Sequence, residues 1–234
     1  MVSAPSPTTF GLLGMLASRS WTGYELTQQI RRSLRFVWPS SEGHLYREQK
    51  TLVELGWATV EDEPAGKRTR KRYTITPEGR KALRGWHSTE PGEPRLEIEG
   101  ILRLFYGDHG SPTDLANSLA TTSEQAESML RELLEFVDEY LEDGGPLWML
   151  ENGVGGPGQE RLTFRGRTQF PERLHVVAMA IEMTTALLSV VSHLGSQLDA
   201  EIRGWESTSA IELTPGTRHR LERVHEQHST WPTD

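Results

Sequence analysis

The side chains best placed to do chemistry lie in Gly66-Lys67-Arg68-Thr69-Arg70-Lys71-Arg72, where five cations fall within seven residues of a chain whose net charge is −8. Lysine and arginine packed this closely suit a repeating polyanion, because each phosphate they neutralise releases condensed counterions. The rest of the charge is divided in the same sense. Residues 1–84 carry fourteen Lys/Arg against eight Asp/Glu, a net of +6, and residues 85–234 carry eleven against twenty-five, a net of −14. One basic and one acidic module follow, and the acidic one should avoid nucleic acid.

Other chemistries find less support. Cysteine is absent, which removes thiolate nucleophiles, disulfides and cysteine metal sites and fits a reducing cytoplasm. The N-terminal Met1-Val2-Ser3-Ala4-Pro5 lacks a charged region followed by an apolar stretch, so no signal peptide is expected. No motif joins a nucleophile, a base and an oxyanion donor, and the chain is not read as an enzyme. Gly153-Val154-Gly155-Gly156-Pro157-Gly158 matches a dinucleotide-binding GxGxxG by letter. Pro157 lacks the N–H that a phosphate cradle uses, and 159–164 reads as strand instead of helix, so 144–158 is read as a loop and no cofactor is expected. A hairpin of Leu147 to Leu150 with Leu162 to Arg165 would flank it. His219, His225 and His228 lie in a tail from Ser207, read as solvated, and without a carboxylate at fixed spacing they complete no metal site.

The elements that must position the cations read in order. Phe10, Leu13 and Leu16 share a stripe of a first helix over Thr8 to Ala17. Thr22 with Glu25 is a capping box opening a second helix with Leu26, Ile30 and Leu34 inward, ended before Pro39. Ser40 or Ser41 caps a third helix that runs to Leu55, with Leu45, Leu52 and Leu55 inward and His44, Arg47 and Lys50 outward, and Gly43 permits close approach. Trp57 to Glu61 and Arg72 to Ile75 form a short hairpin with a cationic tip, and Thr76-Pro77 starts a fourth helix through Leu83 and Trp86. Pro91 to Pro94 is a linker. Helix, helix and hairpin in this order outline a winged helix-turn-helix, whose third helix would enter a major groove and whose wing would reach a minor groove. Arg47 either reads a guanine or holds a phosphate.

At this point the residues resemble a known family. Thr22-Gly23-Tyr24-Glu25-Leu26, Ser41-Glu42-Gly43-His44-Leu45-Tyr46, Leu52 with Leu55-Gly56, the basic wing and Tyr73-Thr74-Ile75-Thr76-Pro77-Glu78-Gly79 look like the winged-helix domain of PadR-family transcriptional regulators over roughly residues 8 to 86. The resemblance implies a homodimeric bacterial repressor or activator whose Tyr24, Tyr46 and wing cations meet the DNA backbone. Glu42 stands where the family usually has proline, and His44 where a small hydroxyl residue is common.

In the acidic half, Ile98, Ile101, Leu102 and Phe105 give one short helix, and Ser111 to Thr121 allows another. Ser123 to Leu141 is a stronger helix on Ala126, Leu130, Leu133, Val137 and Tyr140, with Glu127, Glu132, Glu135 and Glu139 read as solvated. From Pro171, residues Leu174, Val177, Ile181, Thr184, Leu188, Val191, Gly195, Leu198, Ile202 and Trp205 hold a three-four alternation. Residues 174–194 are long enough to span a bilayer, but Glu182 near the middle would cost roughly 2.5–3.5 kcal/mol, so a buried helix is expected and no membrane partner. Apolar residues off the seam, such as Met179 and Met183, require more than one cover, which a second subunit supplies. This region resembles the C-terminal domain of the virulence-activator branch of the same family, where paired helices build the dimer.

The reading is therefore mainly α: a winged helix-turn-helix over 1–90, a helical dimerisation domain over 91–206 that is also a possible effector domain, and a tail over 207–234. The expected function is a sequence-specific, cytoplasmic transcriptional regulator, a repressor binding a palindromic operator as a homodimer. Its DNA-binding residues would be Tyr24, Ser40, Ser41, Gly43, His44, Tyr46, Arg47, Lys50, Lys67, Arg68, Thr69, Arg70, Lys71 and Arg72. Its dimer interface would be Leu174, Val177, Ile181, Leu188, Val191, Leu198, Ile202 and Trp205. Double-stranded DNA, a second copy and an unidentified small-molecule effector are the expected partners, and Trp86, Trp148 and Trp205 are candidates to line an effector pocket. The alternative is a winged helix that grips an acidic protein.

Overall fold

The computed structural model describes residues 4–65, 68–154, 162–164, 167–169, 171–205 and 210–228. Helix α1 (Pro7–Ser18) starts one residue earlier than its apolar stripe suggests, because Ser6 and Thr9 cap each other's backbone and Pro7 fits the first helical turn. Helix α2 (Gly23–Ser33) opens on the expected capping box: Thr22 Oγ1 accepts from the Glu25 N–H and the Glu25 carboxylate accepts from the Thr22 N–H. Helix α3 (Glu42–Glu54) is capped by Ser41, and Ser40 has no part in the cap. Helix α4 (Pro77–His87) is capped by Thr76.

Three apolar stripes and one sheet face close the core of this head. Leu12, Leu13, Leu16, Leu26, Ile30, Leu45 and Leu52 meet Trp21, Ala58, Tyr73 and Ile75, all buried, and each large side chain removed from water contributes about 1.5–3 kcal/mol. The sheet has a strand that the hydrophobic pattern does not announce. Trp21–Thr22 (β1) pairs antiparallel with Arg68–Ile75 (β3), which pairs on its other side with Ala58–Ala65 (β2). Two residues are too few to show a period, so β1 is visible only through its partner. The hairpin is also longer than expected: most of the basic run is strand rather than turn, since the ladder continues through Glu63↔Arg70 to Ala65↔Arg68.

Gly79, at the third position of α4, marks the tightest junction. A Cβ there would stand 2.2 Å from the Trp57 carbonyl oxygen, so only glycine lets the helix seat on the strand root. Phe10 stacks on Trp86 at 5.0 Å between ring centres on the same side.

Beyond residue 95 several expectations change. Helix α5 (Glu99–Phe105) is as read, but Ser111–Thr121 and Ser123–Leu141 fuse into one 30-residue helix, α6 (Pro112–Leu141). Thr121 and Thr122 do not break it because their hydroxyls donate to the carbonyls of Asn117 and Ser118, four residues back. The segment expected as a strand at 147–150 is helix α7 (Pro146–Glu151), with Pro146 preset at its start. Leu162–Phe164 (β4) pairs instead with Arg167–Gln169 (β5), a closer neighbour whose loop costs less entropy to close. Most of the glycine-rich motif, residues 155–158, lies outside the described residues. Helix α8 (Pro171–Arg203) is the expected long helix, and the tail is largely helix α9 (Ala210–His228), exposed over 215–227.

The chain groups into two compact units, one of residues 1–95 with 132–185, the other of 96–131 with 186–234. In the second, Leu115, Ala116 and Leu119 of α6 pack with Ile202 of α8, joined by Leu104, Leu198 and Trp205. The Ser123 hydroxyl donates to the Ser192 carbonyl at 2.8 Å, and Gly195 admits α6 closely, since a Cβ would meet Ser123 at 3.3 Å.

Candidate nucleic-acid interface

Capping and core packing leave one side of the head for polar and cationic groups. Leu45 and Leu52 are inward on α3, which turns Gly43, Tyr46, Arg47 and Lys50 outward; Ser41 is exposed beside them and His44 is half-buried. Tyr24, on the first turn of α2, is 64 % exposed and Tyr46 is 38 % exposed. Tyr24, Tyr46 and Lys50 rim a groove of about 690 Å³ together with Thr22, Gly23, Glu25, Gln49, Arg70, Lys71 and Tyr73. Tyr24, Tyr46, Lys50, Arg70 and Lys71 are thus brought together from three elements. Thr69 is exposed farther along β3, Ser40 is half-buried before the α3 cap, Lys67 lies outside the described residues, and so does the side chain of Arg68.

The wing is less uniformly basic than its sequence. Register places Glu61 opposite Arg72, Asp62 opposite Lys71 and Glu63 opposite Arg70. Lys71 Nζ is 3.7 Å from Asp62 and remains open to solvent, whereas Arg72 is committed: it donates to Glu63 at 3.0 Å from Nε and to the Ser20 carbonyl at 3.4 Å, and lies 4.0 Å from Glu25. Arg72 therefore ties β2, β3 and the start of α2 together, and of the cations expected to bind DNA it is the one most engaged by these neighbours among those with described side chains. The alternation of acids on β2 with cations on β3 is the signal that could have found this pairing.

Gln49 is the residue of the groove that the sequence reading missed. It is 1 % exposed, and its Nε2 donates to the Gly23 carbonyl at 3.0 Å and to Thr27 Oγ1 at 2.9 Å. It joins the inward face of α3 to the first turns of α2 and so holds Tyr24 and Tyr46 on the rim. His44 lies 3.9 Å from Glu48, which also accepts a short hydrogen bond from Thr9 Oγ1. The Glu25 carboxyl is held below the usual carboxylate range by the Thr22 N–H, helped by the Thr22 hydroxyl, Arg72 and Arg19 and opposed by partial burial. Burial, then the nearby Tyr46, pushes the Tyr73 phenol up.

The acidic half presents a different surface. The predicted seam is used inside the chain: Leu174, Thr184, Gly195 and Ile202 are buried and Val177, Ile181, Leu188, Val191, Leu198 and Trp205 half-buried. Of the residues expected at the dimer interface, Leu174 and Ile202 are thus occupied within the chain, and the other six keep part of their surface open. The uncovered face of α8 is Val176, Met179, Met183, Leu187, Val190 and Leu194, between 46 % and 70 % exposed. Their spacing runs in steps of three or four, which keeps them on one helical stripe. The helix is long and apolar enough to cross a membrane, with mean hydropathy 1.8 in its most apolar stretch, of which only 11 % is buried. The expectation of a buried helix is corrected to that extent. Glu132 and Glu139, read as solvated, pair with Arg35 and Arg32. Trp86 packs on Phe10 and Trp205 on the second unit's core, so the expected tryptophan-lined pocket has its members in different surroundings.

Comparison with known proteins places these features. Residues 12–85 match the transcriptional regulator PadR-like family. The negative transcriptional regulator PadR of Bacillus subtilis strain 168 is 30 % identical over 99 residues, 42 % of this chain. The alignment spans about half, 54 %, of that relative's length. In fold, the chain is similar to Bacillus subtilis PadR crystallised with operator DNA (TM-score 0.54, 17 % identity, 81 % of this chain and 98 % of that one). It is also similar to the Vibrio cholerae virulence activator AphA (TM-score 0.56, 19 % identity, 84 % and 98 %).

Proposed function

From the match of residues 12–85 to the PadR-like family we propose that the chain is a sequence-specific transcriptional regulator, a cytoplasmic repressor that binds a palindromic operator as a homodimer. The observation that carries the reading is the groove itself. Tyr24, Tyr46, Lys50, Arg70 and Lys71 converge on one surface of a head whose core is otherwise closed, beside the exposed Arg47 and Gly43 of a capped helix. Phenolic hydroxyls and solvent-open cations in such an arrangement suit phosphate oxygens, with the exposed start of α3 left to meet base edges. The related Bacillus subtilis protein has been crystallised with operator DNA, which supports operator DNA as the ligand here.

Dimerisation is assigned to the second stripe of α8. Six large apolar residues in helical register need a cover, and Glu182, Ser189 and His193 on the same helix suit a protein partner better than lipid. A second copy gives two heads on one symmetry axis, which matches an inverted repeat. An effector or altered packing of the acidic half that changes the spacing of the heads would release the operator.

Binding of labelled duplexes at two salt concentrations tests the reading. A dimer neutralising about 6–10 phosphates should lose on the order of 10³–10⁵ in affinity between 50 and 200 mM salt while still preferring its operator to a scrambled duplex. Salt-independent binding, or equal affinity for both duplexes, would overturn it and favour an acidic protein as the partner.

A further inference from the structure

The covalent link from the head to the next helix does little to orient it. Residues 88–98 carry no regular helix or strand and are almost wholly exposed, and a tether of this kind fixes no angle between the parts it joins. Side-chain contacts must supply the orientation, and the end of α2 supplies them within its own unit. Arg32 Nη2 donates to Glu139 Oε1 at 2.7 Å, and its guanidinium lies 4.8 Å from the centre of the Phe136 ring. Arg35 pairs with Glu132. The three partners stand at i, i+4 and i+7 on α6 and so form one stripe, while Arg32 and Arg35 are three residues apart at the close of α2. Arginine held by a carboxylate and a ring face at once is fixed in direction as well as distance.

We propose that Arg32 and Arg35 are positioning residues for operator binding, which act by locking the winged head onto α6 instead of touching DNA. The proposal rests on the reading of the chain as a dimeric operator-binding regulator. Two half-sites of a palindrome lie one helical turn, about 34–36 Å, or a multiple apart, so two heads must hold that spacing before the second is bound. A head free to tilt has to be ordered during binding, which lowers the effective concentration of the second head at its half-site. The first half-site does not feel this cost. Breaking the lock therefore lowers the preference for a whole operator over a half-site, and leaves half-site binding as it was.

The test uses the full chain, an operator selected by the wild-type protein from random duplexes, and a duplex carrying one half-site. The variants are the neutral pair R32Q/R35Q, the reversal R32E/R35E, the reversal E132R/E139R and the four-position charge exchange, each checked for native melting. The neutral pair keeps the test valid should a reversal unfold. The expected result is a fall of about tenfold in the ratio of operator to half-site affinity for each broken pair set, the scale of two partly exposed ion pairs, with recovery in the four-position exchange. An unchanged ratio, or no recovery on exchange, would overturn the proposal. A parallel loss on the half-site would also overturn it, by showing that the arginines hold phosphate directly. A wild-type protein with no preference for the whole operator would fail the dimeric reading itself, before any variant is compared, and the proposal would fall with it.

Discussion

The winged head and the long helix α8 solve the same problem in opposite ways. The head covers its apolar stripes with its own sheet and three helices, so that Leu12, Leu26, Leu45 and Leu52 are completely buried in one chain and its remaining surface is free for polar work. Helix α8 covers only one of its two stripes. Leu174 and Ile202 are inward, and Met183, one step around the helix, is 70 % exposed. The difference teaches that the head closes its own core, whereas α8 leaves an apolar stripe uncovered, the stripe on which the proposed dimer rests. Under the proposed function, contact to a polyanion falls on one side of this line and assembly on the other.

The most severe way to break the comparison is to charge the two stripes of α8 separately. Met183→Asp with Leu187→Asp should dissociate the dimer while each chain stays folded, at a cost of several kcal/mol of association, because the carboxylates would be buried only in the pair. Leu188→Asp places its charge on the half-buried seam and should lower the melting temperature instead. Sedimentation and thermal unfolding on the same samples separate the two effects. Dimers that survive the first change would mean that the interface lies elsewhere.

Next in size is a change confined to the head. Gly79→Ala puts a methyl group where the Trp57 carbonyl stands, and the backbone has to move; a loss of about 1–3 kcal/mol in the head's stability is expected, with the dimer intact. Smaller again are the surface cations. Arg70→Ala with Lys71→Ala should weaken all duplexes by a similar factor and flatten the salt slope, since phosphate contacts carry no sequence information. Arg47→Ala should behave likewise if Arg47 holds a phosphate. If it reads a base, operator binding alone should lose about 1–3 kcal/mol and tolerance at one position should broaden. Unchanged binding by Arg70→Ala/Lys71→Ala on every duplex would remove the wing from the interface.

The parts legible in the sequence were those written locally. Thr22 with Glu25, Ser41, and Thr76 with Pro77 each mark a helix start within four residues, and the structure has all three. The parts that were not legible depend on residues far apart in the chain. Strand β1 exists because Trp21 faces Tyr73, and Arg72 is half-buried and engaged by Glu63, Ser20 and Glu25. The two stripes of α8 have the same period and nearly the same apolarity, so pattern alone cannot say which is inward. Gln49 carries no motif at all; its role follows from Gly23 lying against it.

The smallest expected effect concerns the Thr22–Glu25 box, and it sharpens the claim that the head is stabilised from within. The folded state holds the Glu25 carboxyl below its usual range, chiefly through the Thr22 N–H. Above the unfolded-state value the carboxylate is charged in both states and the whole stabilisation is present. As pH falls through the lower folded-state value, the native carboxylate too is protonated and the contribution is lost. The Glu25 side chain is 40 % exposed, so screening keeps this effect small. Thr22→Ala removes the other half of the box and should cost about 0.5–2 kcal/mol near neutral pH. Melting of wild type and Glu25→Gln should therefore differ near neutral pH and converge in acid. A difference that stays constant across that range would mean that Glu25 stabilises the head through packing and not through its charge.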